Sequence, residues 1–339
     1  MTLSMDTGAL TLELVAIPSP SGSEVAVLAA LEKLAARYRL TAQRIAVDDR
    51  RYDLLFGCGQ PPRVLLTTHV DTVPGGPPPA LVDGVLRGRG ACDAKGIAAA
   101  MFGALCDLRD RGEQRVALLL VVGEETSSDG AKAAARALAP VSYFVNGEPT
   151  ELRFVKAQRG ALAFRVVAQG VACHSGYPEL GRSATHALLD ALDQLRHEPW
   201  PADPEIGPTL LNIGVIGGGS APNVLAANAW AELMMRPAIA ASAIEGRVRE
   251  LVGGQVDVEV RTRSDPQRFF VPTGQTPVVV GYASDVAHLR PLGTPLMIGP
   301  GSIHVAHTDR EQVALTELEQ ARQLYTELCR DLLHKDTQP

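Results

Sequence analysis

The run Val64-Leu65-Leu66-Thr67-Thr68, closed by His69-Val70-Asp71-Thr72-Val73-Pro74, constrains this chain more than any other stretch. A short apolar run bounded by turn residues reads as a buried β-strand. A strand points residues i and i+2 to one face, so His69 and Asp71 share a side. That spacing suits a metal-binding imidazole whose ring is held by a carboxylate, although His-x-Asp also arises by chance. The pattern gains meaning because it recurs. Residues 116–122 form a continuous apolar run, as expected of a parallel strand buried on both faces, and stop at Gly123-Glu124-Glu125. Residues 141–145 form a shorter strand ending at Asn146-Gly147-Glu148. Alanine-rich helices are expected at 97–109, after Gly88-Arg89-Gly90-Ala91-Cys92-Asp93-Ala94-Lys95-Gly96, and at 131–138. Strands alternating with helices imply an α/β fold with a mostly parallel sheet and flanking helices.

From about Gln158 the pattern changes. Strands are expected at 163–168, 211–216 and 229–236, an amphipathic helix at 183–195, and a half-exposed strand of period two at 256–261. Buried-strand signals return at 277–280 and 295–298, so the block reads as a smaller α+β domain inserted into the first. The expected division is 1–157 with 267–339, and 158–266. Two Ser/Thr-x-x-Glu patterns read as helix-starting capping boxes. Ser21-Gly22-Ser23-Glu24 precedes a helix over 25–37, and Thr308-Asp309-Arg310-Glu311 opens a long final helix with Leu315, Leu318, Ala321, Leu324, Leu328 and Leu332 on one face.

Composition narrows the function classes. A net charge of −6 without a basic cluster argues against nucleic acid and anionic membrane as partners. The longest apolar run is too short to span a bilayer. Residues 1–14 lack a secretory signal pattern. Five cysteines (58, 92, 106, 173 and 329), with no C-x-x-C pair, fit reduced thiols and a cytoplasmic location.

Ligands of parallel α/β sheets bind at the carboxyl ends of the strands. His69 and Asp71, Glu124 and Glu125, Glu148, and the segment 299–307 all follow expected strands. Carboxylates gathered in one cleft repel, and a divalent cation relieves them; mixed imidazole and carboxylate donors favour zinc, with manganese or cobalt possible. Each motif also has a plainer reading. Glu124-Glu125 and Glu148 could be helix-start acids, and Asp93 an exposed cap. Gly88-x-Gly90 lacks the third glycine and preceding strand of a dinucleotide site. His304 and His307 compete for one role.

Together the motifs resemble the zinc aminoacylase/carboxypeptidase family that includes acetylornithine deacetylase and succinyl-diaminopimelate desuccinylase. The matching stretches are the His69 and Asp93 motifs, Gly123-Glu124-Glu125, Gly147-Glu148-Pro149-Thr150 and Gly299-Pro-Gly-Ser-Ile-His-Val-Ala-His307-Thr-Asp-Arg-Glu311. The resemblance implies a zinc-exopeptidase-like catalytic domain with an inserted lid that also dimerises. It implies two zinc ions, one held by His69, Asp93 and Glu148, the other by Asp93, Glu125 and His307. Asp71 would orient His69, Glu124 would be the general base, and the Asp93–Ala94 peptide would be cis. In the lid, His174 would help stabilise the oxyanion, Asn223 would contact substrate and Arg236 would grip the α-carboxylate. Met234 stands where the family usually has an Asp two residues before that arginine.

The expected function is a cytoplasmic, homodimeric di-zinc amidohydrolase acting on an N-acyl amino acid, with N-acetyl-L-ornithine the leading substrate. A succinyl-diaminopimelate desuccinylase, or a hydrolase of lysine or ornithine linked to a carrier protein, is an alternative. A dipeptidase or carboxypeptidase is the next, and an inactive metal-binding scaffold the different-class reading.

Overall fold

In the computed structural model, which describes residues 5–254 and 256–335, the chain divides into two compact units. The first comprises the described residues up to Lys156, Phe269–Val278 and those from Ser284 onward; the second comprises Ala157–Arg268 and Val279–Ala283. The chain thus passes between units after 156 and 268, against the expected 157 and 266, and makes an additional short return at Val279–Ala283.

The first unit is built on a six-stranded sheet in the order Thr41–Ala46, Tyr52–Gly57, Val116–Val121, Val64–His69, Tyr143–Asn146, Thr294–Met297. The last four are parallel to one another. The first two form an antiparallel hairpin added antiparallel to the block, so the sheet is mixed. Every residue of Val64–His69 and Val116–Val121 is buried, which explains why these strands read as unbroken apolar runs. Val116, Leu118 and Leu120 share one core with Ile97, Met101 and Phe102 of the Lys95–Asp110 helix and Tyr325 and Leu332 of the Leu315–Lys335 helix. Phe102 meets Tyr38 and Phe56 edge to face, ring centroids 5.9 and 5.6 Å apart. Such pairs add about 0.5–1.5 kcal/mol beyond their buried area.

The second unit is a four-stranded antiparallel sheet, Leu210–Gly218, Asn228–Arg236, Ala161–Gln169, Asp257–Ser264. Leu162, Phe164 and Val166 alternate inward, as period two requires, onto Leu188, Leu192 and Leu195 of helix Ala184–His197 and Ile244 and Val248 of helix Ala241–Val252.

Three local expectations are corrected. Helix Val25–Arg37 follows Glu24, but no side chain caps it, because Ser21 and Glu24 have partners elsewhere. The last helix starts at Leu315, not beside Thr308; Gln312–Ala314 is a strand against Val85–Arg87, and Glu311 is buried before it. Val278–Val280 is half-buried and stands outside the six-stranded sheet; three valines are too short a run to tell a central strand from a peripheral one. Among the described residues, no helix is long and apolar enough to cross a membrane.

Candidate metal centre

The parallel block delivers its loops to one end. His69 is the last residue of its strand. Glu124 and Glu125 follow Val116–Val121, Glu148 follows Tyr143–Asn146, and the 299–307 segment follows Thr294–Met297. Asp93 lies one residue before the Ala94 cap of the Lys95–Asp110 helix, and its peptide bond to Ala94 is cis. The fold brings ligand atoms of His69, Asp93 and Glu148 within 4.8 Å of one another, and likewise those of Asp93, Glu125 and His307. Asp93 belongs to both sets. His304 belongs to neither and is exposed, whereas His307 Nε2 lies 2.8 Å from Glu125 Oε1 and 3.2 Å from Asp93 Oδ2.

Hydrogen bonds fix these groups. His69 Nδ1–H donates to the Asp71 backbone carbonyl at 3.0 Å, because a carbonyl can only accept. Nε2 is left facing Asp93 Oδ1 at 3.0 Å, and is the ring nitrogen a cation would take. The Asp71 carboxylate, 3.5 Å from the ring, was expected to orient His69. It also accepts from the Glu124 and Glu125 N–H groups, both at 3.1 Å. Asn146 Nδ2 donates to Glu148 Oε1 at 3.2 Å, and the Gly147 N–H to Thr67 O at 2.8 Å. A Cβ on Gly147 would come 2.3 Å from Ile97 Cγ2, so only glycine lets this turn lie against the helix.

The electrostatics are those of a cavity for cations. Loss of solvation and then repulsion from Glu148 push the Glu124 carboxyl well above its usual range. Burial lifts Glu148 to about 8. Burial alone would raise Asp93 too, but hydrogen bonds from His307 and His69 hold it well below. The Asp93 and Glu125 carboxylates push His307 up to about 10. Protons are thus drawn into a site whose acids cannot all ionise unaided, and divalent cations would replace them. The nitrogen and oxygen donors fit such ions.

Glu311 was missed because it was read as part of a cap. It is fully buried, accepts from the Gly90 N–H at 2.8 Å and the Asp93 N–H at 3.3 Å, and pairs with Arg89. It therefore sets the loop carrying Asp93. In the second unit, the segments of His174 and Asn223 are joined: Ser175 N–H donates to Asn223 O at 2.9 Å, and His174 forms a β-bridge with Val224. Both residues are exposed, and Arg236 ends the Asn228–Arg236 strand, half-buried.

Two donor sets sharing one aspartate suit a pair of divalent cations, the arrangement of a two-metal hydrolase. The sequence model of Peptidase family M20/M25/M40 matches residues 65–331. A protein of Aspergillus flavus named a probable carboxypeptidase is 38% identical over 316 residues, 81% of this chain and 73% of the relative. A peptidase M20 domain-containing protein of Schizosaccharomyces pombe is 37% identical over 319 residues, 90% of this chain and 79% of the relative. The crystal structure of aminopeptidase PepT from Bacillus cereus superposes with a TM-score of 0.80 at 22% identity, covering 97% of this chain and 98% of that one. The chain belongs to the M20/M25/M40 peptidase family.

His307→Ala should lower bound metal by about one ion per chain, whereas His304→Ala should leave it unchanged. Metal analysis after dialysis decides, and the reverse pattern would exchange the two assignments.

Proposed function

We propose that this chain is a two-metal exopeptidase that cleaves dipeptides or C-terminal residues from short peptides. The observation that carries the reading is the pair of donor sets sharing Asp93, with Glu124 beside them and in neither. The relatives support a peptidase over an N-acetyl-L-ornithine deacetylase: the Aspergillus proteins are named probable carboxypeptidases. Human carnosine dipeptidase 1 shares the fold at a TM-score of 0.73, 15% identity and 96% coverage of this chain. A Bacillus subtilis structure with a TM-score of 0.70, 15% identity and 97% coverage of this chain is described as a dinuclear metal-binding peptidase. Zinc leads as the metal here, with cobalt or manganese as substitutes.

His69, Asp93 and Glu148 would hold one ion, and Asp93, Glu125 and His307 the other. Bound there, the ions would supply a polarised carbonyl and a more acidic water. Glu124 takes the proton of the attacking water as its oxygen bonds the carbonyl carbon. It then gives that proton to the departing nitrogen as the C–N bond breaks, leaving a free amine and a carboxylic acid that ionises by releasing the second water proton. Asp71 holds the Glu124 backbone, and its carbonyl holds the His69 ring. From the second unit, His174 is assigned to the oxyanion, Asn223 to a substrate contact and Arg236 to the substrate α-carboxylate. That unit is also assigned to homodimerisation: its edge strand Leu210–Gly218 exposes Leu210, Val215 and Ile216.

Amine release is measured across dipeptides, N-acetyl-ornithine, N-acetyl-lysine and N-succinyl-diaminopimelate, with zinc or cobalt supplied. Dipeptides should exceed every N-acyl amino acid in kcat/KM by at least about tenfold, or ~1.4 kcal/mol of transition-state discrimination. A clear preference for one N-acyl amino acid would return the protein to the deacylase branch.

A further inference from the structure

The segment 17–21 runs along the loop that follows the His69 strand. Pro20 and Thr72 form a parallel bridge, Thr72 N–H donates to Ser19 O at 3.0 Å, and Ser19 Oγ donates to Val70 O at 2.7 Å. The buried Lys95 ammonium donates to Ile17 O at 2.6 Å, tying the same segment to the helix after Asp93. These bonds place one side chain with a different task. Ser21 Oγ donates to Asp71 Oδ2 at 2.7 Å.

Asp71 is fully buried, so its charge depends on hydrogen bonds from the protein. Its two oxygens accept from Ser21, the Glu124 N–H and the Glu125 N–H. His69 Nδ1 lies 3.0 Å from the Asp71 carbonyl and 3.5 Å from its Oδ1, while Oδ2 is shared by Ser21 and the Glu125 N–H. Ser21 is the side-chain donor that holds the carboxylate toward the Glu124–Glu125 loop. Without it, one oxygen loses its shortest partner and the carboxylate can turn.

We propose that Ser21 is a positioning residue for the general base: through Asp71 it fixes the loop that carries Glu124. The inference rests on the assignment of Glu124 as base. Its test compares Ser21→Ala and Ser21→Thr with the wild-type full chain. Amide hydrogen exchange at Glu124 and Glu125, read without metal, reports the loop directly; kcat, KM and bound metal report the consequence.

In Ser21→Ala, exchange at these amides should rise and kcat fall, each by about tenfold, the scale of one lost hydrogen bond. KM, metal content and exchange in helix Leu315–Lys335 should stay at wild-type values. Ser21→Thr keeps a hydroxyl and should restore both loop protection and turnover. Unchanged exchange in Ser21→Ala overturns the proposal, as does faster exchange with unchanged kcat. Loss of metal with the loss of turnover overturns it as well, since Ser21 would then serve the ligands. A wild type inactive on the whole substrate panel would remove the function, while the exchange result would still decide the link from Ser21 to the loop.

Discussion

Glu124→Gln is expected to lower kcat by about 10²- to 10⁴-fold, the usual worth of a positioned general base. The substitution keeps the size of the side chain and removes its capacity to take a proton from water. Glu124 lies outside both donor sets, so bound metal should not change. Its backbone N–H, which holds Asp71, is untouched. The loss should therefore fall on kcat, with KM and metal stoichiometry near wild type. Each factor of ten corresponds to ~1.4 kcal/mol of transition-state stabilisation. Steady-state kinetics with metal analysis on the same sample provide the check. A variant that keeps most of its turnover would end the assignment.

Asp93→Ala should have the largest effect of any ligand change, because Asp93 is the one residue in both donor sets. It also anchors both imidazoles, His69 Nε2 at 3.0 Å and His307 Nε2 at 3.2 Å. Removing it should cost both ions and leave only background hydrolysis. Stability supplies an independent readout. A ligand at a hundred times its Kd stabilises the folded state by about 2.7 kcal/mol per site, so zinc should raise the wild-type Tm clearly. Asp93→Ala should show little or no rise. A variant whose Tm still climbs with zinc as the wild type's does would show that the ions sit elsewhere.

Much of the catalytic unit was legible because burial on two faces writes itself into composition. A strand covered on both sides has nowhere to place a polar residue, so Val116–Val121 and Val64–His69 announce themselves as apolar runs, and the charged residues that end them stand out. The capping boxes were misread for the opposite reason. Ser-x-x-Glu is a local pattern, and a local pattern does not say whether its side chains turn back on their own helix or reach across the chain. Ser21 reaches Asp71, and Glu311 reaches Arg89 and Gly90.

Chemistry and spacing alone left His304 and His307 open, and only the family resemblance favoured His307. Two histidines three residues apart carry the same chemistry, and the backbone path decides which meets Glu125. His307 does so from a left-handed conformation, φ 61°, that no spacing rule foretells.

The amino-acid sequence by itself determined which chemical groups stand at the ends of the buried strands, since apolar runs and the polar residues that close them are properties of neighbours in the chain. Only the tertiary structure decided which group serves which. The sharing of Asp93 between two donor sets was already implied by the resemblance, whereas the Asp71 carboxylate became an anchor of the Glu124 loop only in the fold. The physical reason is that a buried carboxylate must find its partners wherever packing puts them. Ser21 and Glu124 lie 50 or more residues from Asp71 along the chain and within hydrogen-bonding distance of it in the fold.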